Sequence, residues 1–452
     1  MKFFISCFSH IVRKLNFLAI ALIAFLIVVA STVVVFPAGA SDLKPLTLNE
    51  VVRLGLKRSP SVKKTLAELN ATRASRDEVK ATLFPTIELR GSASEVTTSR
   101  NSASFTAGQT INEFDAYAEA SQPLYVGGAV TDGLKLAKKN EQVSYLNHEI
   151  NLRNTIRDIV KTFYRIEELT RLESAAQKNL SVLERHAAVI NKYEKIGRAR
   201  RADRLIATVN VNQAQLNLKQ FKTELSAQKE ELRKLLSLEA QPTVSVEARK
   251  RSGQNANSSD ELIIKALEKN LELQISKTEL EKIENEKTVA LATDKPSLYL
   301  RGLAGYRSRE ESQLFDSGSE YRSVSLDLTV PVFSGLSSMA KRRGFSEKKI
   351  SATRSLEELK HAITAQVVNL LANQQNLYEE WSQSEVSQKL AEEALNLANR
   401  DYERSLISSQ DLISVQRTRF DTEVSLIEAQ YKYLNNLVDL QIVIGENLLE
   451  YY

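Results

Sequence analysis

Apolar residues three and four apart run along two long stretches of this chain. In the first, Leu152, Ile156, Ile159, Phe163, Ile166 and Leu169 form a stripe that Leu180, Leu183, Ala187 and Ile190 continue. Beyond Gly197, the positions Val211, Ala214, Leu218, Phe221, Leu225, Leu232 and Leu235 form a second stripe, interrupted by the polar Gln228. With no proline between them, they predict a pair of very long amphipathic helices over 128–238, broken once near Gly197. At 1.5 Å per residue the first arm would reach about 100 Å. A seam that long needs a partner of similar length, from this chain, from copies of it, or from both.

Elsewhere the period changes. Ahead of the pair, Val51, Leu54, Leu56, Val62, Leu66 and Leu69 mark a shorter helical stretch over 46–83, with Pro60 at a kink or break. Phe84-Pro85 ends it, and Ile87 and Leu89 then alternate with Glu88 and Arg90, as in a strand with two unlike faces. A polar stretch over 95–112 leads to a second alternating run, 116–122, closed by Pro123. The whole layout then repeats. A helix with Leu262, Ala266, Leu271, Leu273, Leu280 and Ile283 ends at Lys295-Pro296. Strand-like runs follow within 297–330, and a second helix pair over 336–445 carries Phe420, Val424, Ile427, Tyr431, Leu434 and Val438. Pro331-Val332-Phe333-Ser334-Gly335 answers Pro123-Leu124-Tyr125-Val126-Gly127 at an offset of 208, and Asp411 answers Asp203. The chain thus divides into a first repeat (41–239, hairpin 86–122), a polar link at 240–259 and a second repeat (260–452).

Composition sharpens this picture. Glycine and proline are scarce, which favours extended helices over compact sheet-rich domains. The formal charge of +5 falls to +2 once Lys2, Arg13 and Lys14 are set aside with the amino-terminal segment, so no nucleic-acid partner is implied. That segment reads as a signal peptide. Arg13-Lys14 precedes an apolar run to Phe36, and the small-residue pattern Ala38-x-Ala40 places a cut after residue 40. The run is also long enough to span a bilayer, so an uncleaved anchor stays open as the alternative. The single cysteine, Cys7, lies in the same segment.

The chain has only four strands, each about nine to eleven residues, the length that crosses a bilayer at a tilt near 45°. Val324, Leu326, Leu328, Leu298 and Leu300 would face lipid, and Glu88, Arg90, Arg301 and Asp327 would face water. Four strands cannot close around a usable interior, and open edges are not tolerated in lipid. Several copies must therefore pool their strands; three would give twelve and a pore.

Over residues 46–449 this doubled layout of helix, proline, strand, polar loop, strand, Pro-x-[Tyr/Phe]-x-Gly and helix pair resembles the trimeric outer-membrane efflux proteins typified by TolC. The resemblance implies a mainly α protein with membrane β structure. A homotrimeric twelve-stranded β-barrel, four strands per chain, would be continued by a long α-helical coiled-coil tunnel. It further implies an outer-membrane location in a Gram-negative bacterium and no covalent catalysis or cofactor. A periplasmic adaptor and an inner-membrane transporter of ABC or RND type would be the partners, in type I secretion or drug efflux. Residue by residue, Tyr402 falls on a constriction tyrosine, Asp411 on a ring aspartate and Asp203 on an acid that pairs with a neighbouring inner coil. Ser414 and Ile407 depart from the family pattern, at positions of a second ring aspartate and an arginine. Arg198, Arg200, Arg201 and Arg204 crowd the first tip and are candidate basic partners of the gate. Gly197, Arg198, Ser405 and Leu406 coincide with the adaptor-contact tips.

Other classes find little support. His10, His148, His186 and His361 are scattered without ligand spacing, and no phosphate loop or nucleophile elbow is present. The acid pairs Glu167-Glu168, Glu357-Glu358 and Glu392-Glu393 read as solvated helix faces, and Trp381 as packing. The rival reading is an inner-membrane-anchored periplasmic coiled-coil adaptor, which would carry one long hairpin rather than two equal cassettes.

Overall fold

The computed structural model describes residues 45–97, 110–239, 242–245 and 258–446. The expected signal peptide and most of the 240–259 link lie outside the described residues. Chain order is α1 (Leu48–Arg58), α2 (Pro60–Ala81), β1 (Thr86–Thr97), β2 (Thr110–Val126), α3 (Ala129–Lys195) and α4 (Arg201–Leu235). The second half follows with α5 (Ser259–Lys269), α6 (Leu271–Ala290), β3 (Ser297–Ser308), β4 (Glu320–Thr329), α7 (Ser337–Glu403) and α8 (Ser409–Ile444). The long helices α3 and α7 each have 67 residues, α4 and α8 have 35 and 36, and α1 and α5 have 11 each. Such near-equal lengths make the duplication architectural as well as sequential.

Pro60 marks a true break. Ser59 caps the start of α2 with its backbone extended, and proline takes the first helical position, where its missing N–H costs nothing. Thr47 and Glu50 form a capping box that starts α1. The link returns to this point, where Leu46 N–H donates to Thr243 O at 2.8 Å.

The core lies along the long helices. Ile156, Ile159, Phe163, Ile166, Leu169 and Leu172 of α3 are buried with Leu225 and Leu232 of α4, Val51 and Val52 of α1 and Tyr431, Leu434 and Val438 of α8. A second cluster joins α5, α6, α7 and the end of α8 through Leu262, Ala266, Leu273, Ile363, Val367 and Leu440. The repeats are knitted side by side by α3 and α8. Lys161 pairs with Asp439 at 2.7 Å, Tyr164 packs on Tyr431 with ring centroids 6.3 Å apart, and Arg171 donates to Gln430. Trp381 is buried against Tyr433, as packing.

One expectation about charge fails. Glu167 and Glu168 do not form a solvated face: both are buried, at 0% and 6% exposure. Arg165 bonds Glu168 at 2.9 Å and Glu224 at 3.0 Å, bringing a cation to the helix seam. Burial pushes the Glu168 carboxyl above the usual carboxylate range, with Arg165 opposing the shift. A glutamate beside an arginine three residues earlier can enter a coiled-coil seam as a pair, which periodicity alone does not reveal.

The four strands form one antiparallel sheet in the order β1-β2-β3-β4. β2 is longer than the alternation suggested. It begins at Thr110, inside the expected polar loop, and passes through Pro123, where the register to β3 shifts between Pro123 and Tyr125. Lacking an N–H, Pro123 interrupts the ladder with a bulge instead of ending the strand. Gly305 is required by close approach: a Cβ there would stand 2.3 Å from Ala116 O and 2.4 Å from Tyr117 Cα. Gly305→Ala should therefore force β2 and β3 apart. The checks are the yield of outer-membrane-inserted protein and the β contribution to its circular dichroism, both expected to drop while Gly302→Ala, with open space at its Cβ, leaves them intact.

Candidate functional site

Two places on this fold carry chemistry: the sheet and the far ends of the helix pairs. The ladder register assigns each strand residue to a face. On one face stand Ile87 and Leu89 of β1, Ala116, Ala118 and Ala120 of β2, Leu298 and Leu300 of β3, and Val324, Leu326 and Leu328 of β4. Leu89 is 86% exposed and Val324 81%. On the other face stand Glu88, Arg90, Asp115, Tyr117, Glu119, Arg301, Arg307, Tyr321 and Asp327. The four expected water-facing residues, Glu88, Arg90, Arg301 and Asp327, thus share one face.

That polar face is internally paired. Arg90 reaches Glu88 at 2.8 Å and Glu119 at 3.2 Å, Arg301 reaches Asp327 at 3.4 Å, and Arg307 reaches Asp115 at 2.6 Å and Glu113 at 3.3 Å. Tyr117 and Tyr321 meet edge to face over Gly305, with Arg307 4.9 Å from the Tyr321 ring centre. Sequence reading missed Glu113, Asp115 and Arg307 because its strands were too short, and passed over Glu119 inside the expected run. Among the described residues the face carries five acids (Glu88, Glu113, Asp115, Glu119, Asp327) and three arginines, a net charge of −2.

Each helix pair turns by the same backbone motif. After α3, Gly197 adopts φ +74°, with Gly197 N–H donating to Glu194 O (2.9 Å) and Arg198 N–H to Tyr193 O (2.8 Å). After α7, Ser405 adopts φ +59°, with Ser405 N–H donating to Tyr402 O (2.9 Å) and Leu406 N–H to Asp401 O (2.8 Å). Both are Schellman caps, in which a left-handed residue lets the chain satisfy its last carbonyls. Glycine does this without strain; serine carries a cost of about 1 kcal/mol.

The next helix starts by the same device at both tips. The Asp411 carboxylate accepts from Ser408 N–H at 3.0 Å and Ser408 Oγ–H at 2.7 Å, both on Oδ2, and Ser408 Oγ accepts from Asp411 N–H at 3.2 Å. Asp203 accepts from Arg200 N–H at 3.2 Å and from its guanidinium at 3.0 Å. These bonds hold Asp411 and Asp203 below the usual carboxylate range, through Ser408 and the Arg200 side chain respectively. Both stay ionised down to acidic pH, and the contribution of each cap is lost only as pH falls below that range. Arg204 bonds Glu194 at 2.7 Å across the first tip. Arg198 and Arg201 are exposed and make no ion pair among the described residues. Asp411 and Ser414 lie exposed one turn apart, while Leu412 and Ile413 face the core.

Tyr402 is half-buried inside the chain. Its ring lies 5.5 Å from that of His186 on α3, and His186 Nε2 is 2.8 Å from Ser409 Oγ. Burial, with Tyr193 and Asp203 nearby, raises the Tyr402 phenol above its ordinary value. His186 was passed over as one of four scattered histidines; its place on the α3 stripe, three residues beyond Leu183, was the available signal. An open groove of about 370 Å³ between α3, α4 and α8, lined by Leu183, Gln213, Ile413 and Phe420, sits one turn farther from the tip.

Two segments of the chain, residues 51–237 and 262–446, match the family model described as outer membrane efflux protein. The chain belongs to the outer membrane efflux protein family. The two matched segments coincide with the two structural repeats. Outer membrane protein OprJ of Pseudomonas aeruginosa is 30% identical over 150 residues, covering 33% of this chain and 31% of that relative, less than a third of its length. A membrane protein from Pseudomonas aeruginosa superposes with a TM-score of 0.80 at 21% identity, over 88% of this chain and 90% of that one. The CmeC outer membrane channel of Campylobacter jejuni gives 0.79 at 18%, over 88% and 85%. The open state of the MtrE outer membrane channel of Neisseria gonorrhoeae gives 0.75 at 19%, over 89% and 89%. This efflux-family chain therefore shares the fold of those channels across both repeats.

No described helix is long and apolar enough to cross a membrane. Among the described residues no cluster of three or more His, Cys, Asp or Glu could hold a metal ion.

The strain at the second tip is testable. Ser405→Gly should slow hydrogen exchange at residues 404–408 by a few-fold, in line with relief of about 1 kcal/mol, and Ser405→Val should speed it.

Proposed function

We propose that this efflux-family chain is an outer-membrane channel-tunnel of a Gram-negative bacterium that exports protein or small-molecule cargo. The observation that carries the proposal is the two-faced sheet, with both outer edges open: charged on one side, and apolar on the other apart from Glu95, Glu320 and Arg322 at the ends far from the helices. Charged residues on the lipid side would cost several kcal/mol each near the midplane, so the apolar face turns to lipid and the polar face to water. The open edges of β1 and β4 are then completed by copies of the chain. Three copies give twelve strands, and their helix pairs stand side by side as a periplasmic tunnel. A coiled-coil adaptor has no use for such a sheet.

In this reading Glu88, Arg90, Arg301 and Asp327 line the barrel water. The inner pair, α7–α8, narrows the tunnel at its tip, where three copies of exposed Asp411 and Ser414 face one axis and Tyr402 braces the turn. Asp411 Oδ1 has no partner among the described residues and remains available to that axis. Asp203, Arg200, Arg201 and Arg204 belong to the outer pair's side of the closure. Gly197, Arg198, Ser405 and Leu406 form the docking points for a periplasmic adaptor. Leu406 and Ile196 are exposed there, at 69% and 63%, as apolar contacts for a partner backbone. An inner-membrane ABC or RND-type transporter supplies the energy, and the cargo travels by type I secretion or drug efflux.

The first test is the assembly. Outer-membrane fractions should contain an oligomer of three chains that dissociates only on heating; a monomer confined to the inner membrane would overturn the proposal. In planar bilayers the net charge of −2 per chain on the lumen face predicts a preference for cations, which Glu88→Lys with Glu119→Lys should reverse in the reversal potential. Asp411→Ala should raise conductance and weaken block by trivalent cations. Gly197→Trp should leave trimers intact and abolish export; normal export would remove the adaptor role from that tip.

A further inference from the structure

Near the tips, one buried histidine bridges the α3–α4 pair and the α7–α8 pair. His186 on α3 is 8% exposed, whereas His148 is half-buried and His361 exposed. His186 Nε2 lies 2.8 Å from the hydroxyl of Ser409, the first residue of α8, and its ring rests against Tyr402 in the last turn of α7. A single side chain on the outer pair thus holds both ends of the inner tip. The groove one turn away is an open cleft whose floor, Leu183, Ala214 and Phe420, belongs to the shared apolar core. His186 adds a buried polar contact to that seam, close to the tip.

We propose that His186 is a positioning residue that latches the inner pair α7–α8 onto the outer pair α3–α4, and that protonation of its ring releases the latch. This rests on the reading that the inner pair closes the tunnel. A neutral imidazole suits the site, because the Ser409 hydroxyl can donate to one ring nitrogen or accept from it. An imidazolium does not. The groups facing it are Tyr402 from α7 and Ser409 from α8, with Tyr193 of α3 and Asp203 of α4 acting on Tyr402. No carboxylate among the described residues bonds His186, so a charge there would be buried beside one hydroxyl and one aromatic face. Separating the pairs would return the ring to water.

The sign follows from the burial. The closed site holds the imidazole below its ordinary value of 6.5, through desolvation. In the released state the ring regains that ordinary value. The latch is therefore complete above pH 6.5 and is lost as pH falls below it, by up to about tenfold in the closed-to-released ratio per pH unit.

Wild-type channels in planar bilayers should show conductance rising as pH is lowered from 7.5 to 5.0. His186→Gln, which keeps a hydrogen-bonding group that does not titrate, should give low conductance with a flat pH profile. His186→Phe keeps the ring against Tyr402 without the bond to Ser409, and should give raised conductance, also flat. Ser409→Ala should raise conductance at neutral pH. A His186→Gln channel with the wild-type pH response would overturn the latch, while an altered Asp411→Ala channel in the same series would leave the gate itself standing. If Asp411→Ala and Ser409→Ala both conduct like wild type, the gate reading falls first. Should the His186 variants not assemble, hydrogen exchange in the wild type decides. Protection of residues 402–411, corrected for intrinsic rates, should fall below pH 6.5; constant protection would overturn the proposal.

Discussion

Every backbone N–H and C=O placed in lipid needs a protein partner, because hydrocarbon supplies none. In this chain that constraint falls on two strands. Among the described residues β2 and β3 are paired on both sides, whereas β1 and β4 are each paired on one side only. The apolar face of the sheet is fit for lipid, and its edges alone are not. In the proposed channel, whatever completes them sets the number of chains, the width of the barrel and the spacing of the helices that continue from each strand. The long helices are subject to a parallel constraint, since a seam of 67 residues remains soluble only if its apolar stripe is covered throughout.

Duplication meets both demands with one plan used twice. The turn at each tip is the same Schellman cap followed by the same start of helix, 208 residues apart. The side chains that fill the plan differ. The first tip pairs Asp203 with an arginine at the cap position and places glycine in the left-handed turn; the second pairs Asp411 with a serine and places serine there. Identical backbone geometry therefore presents a basic surface at one tip and an acidic, apolar one at the other. A partner that meets both is offered two chemically distinct seats on the same scaffold.

Polar groups, several of them buried, line the seams that α3 makes with α4 and α8. Arg165 with Glu168, Lys161 with Asp439, and His186 with Ser409 all cross or border the contact between α3 and its neighbours α4 and α8. Pure apolar stripes would pack in several registers. A polar group that needs its partner penalises slippage, since a shift of one turn leaves a buried charge or hydroxyl unsatisfied.

The linear pattern was enough for the element order, the long helix pairs, the internal repeat and the two faces of the strands, because periods of 3.6 and 2 are local properties of the chain. It also placed Glu88, Arg90, Arg301 and Asp327 on one side and marked the first helix break at Gly197, while the family resemblance marked the second at Ser405. The ends of the strands were misread, since Thr110 and Pro123 belong to a ladder whose hydrogen bonds come from residues far away in sequence. Glu167 and Glu168 were misplaced, and His186 passed over, for a related reason. Whether a polar residue on a stripe is solvated or buried depends on which helix lies against it. Periodicity names the face of a helix, and only the packed structure says what that face meets.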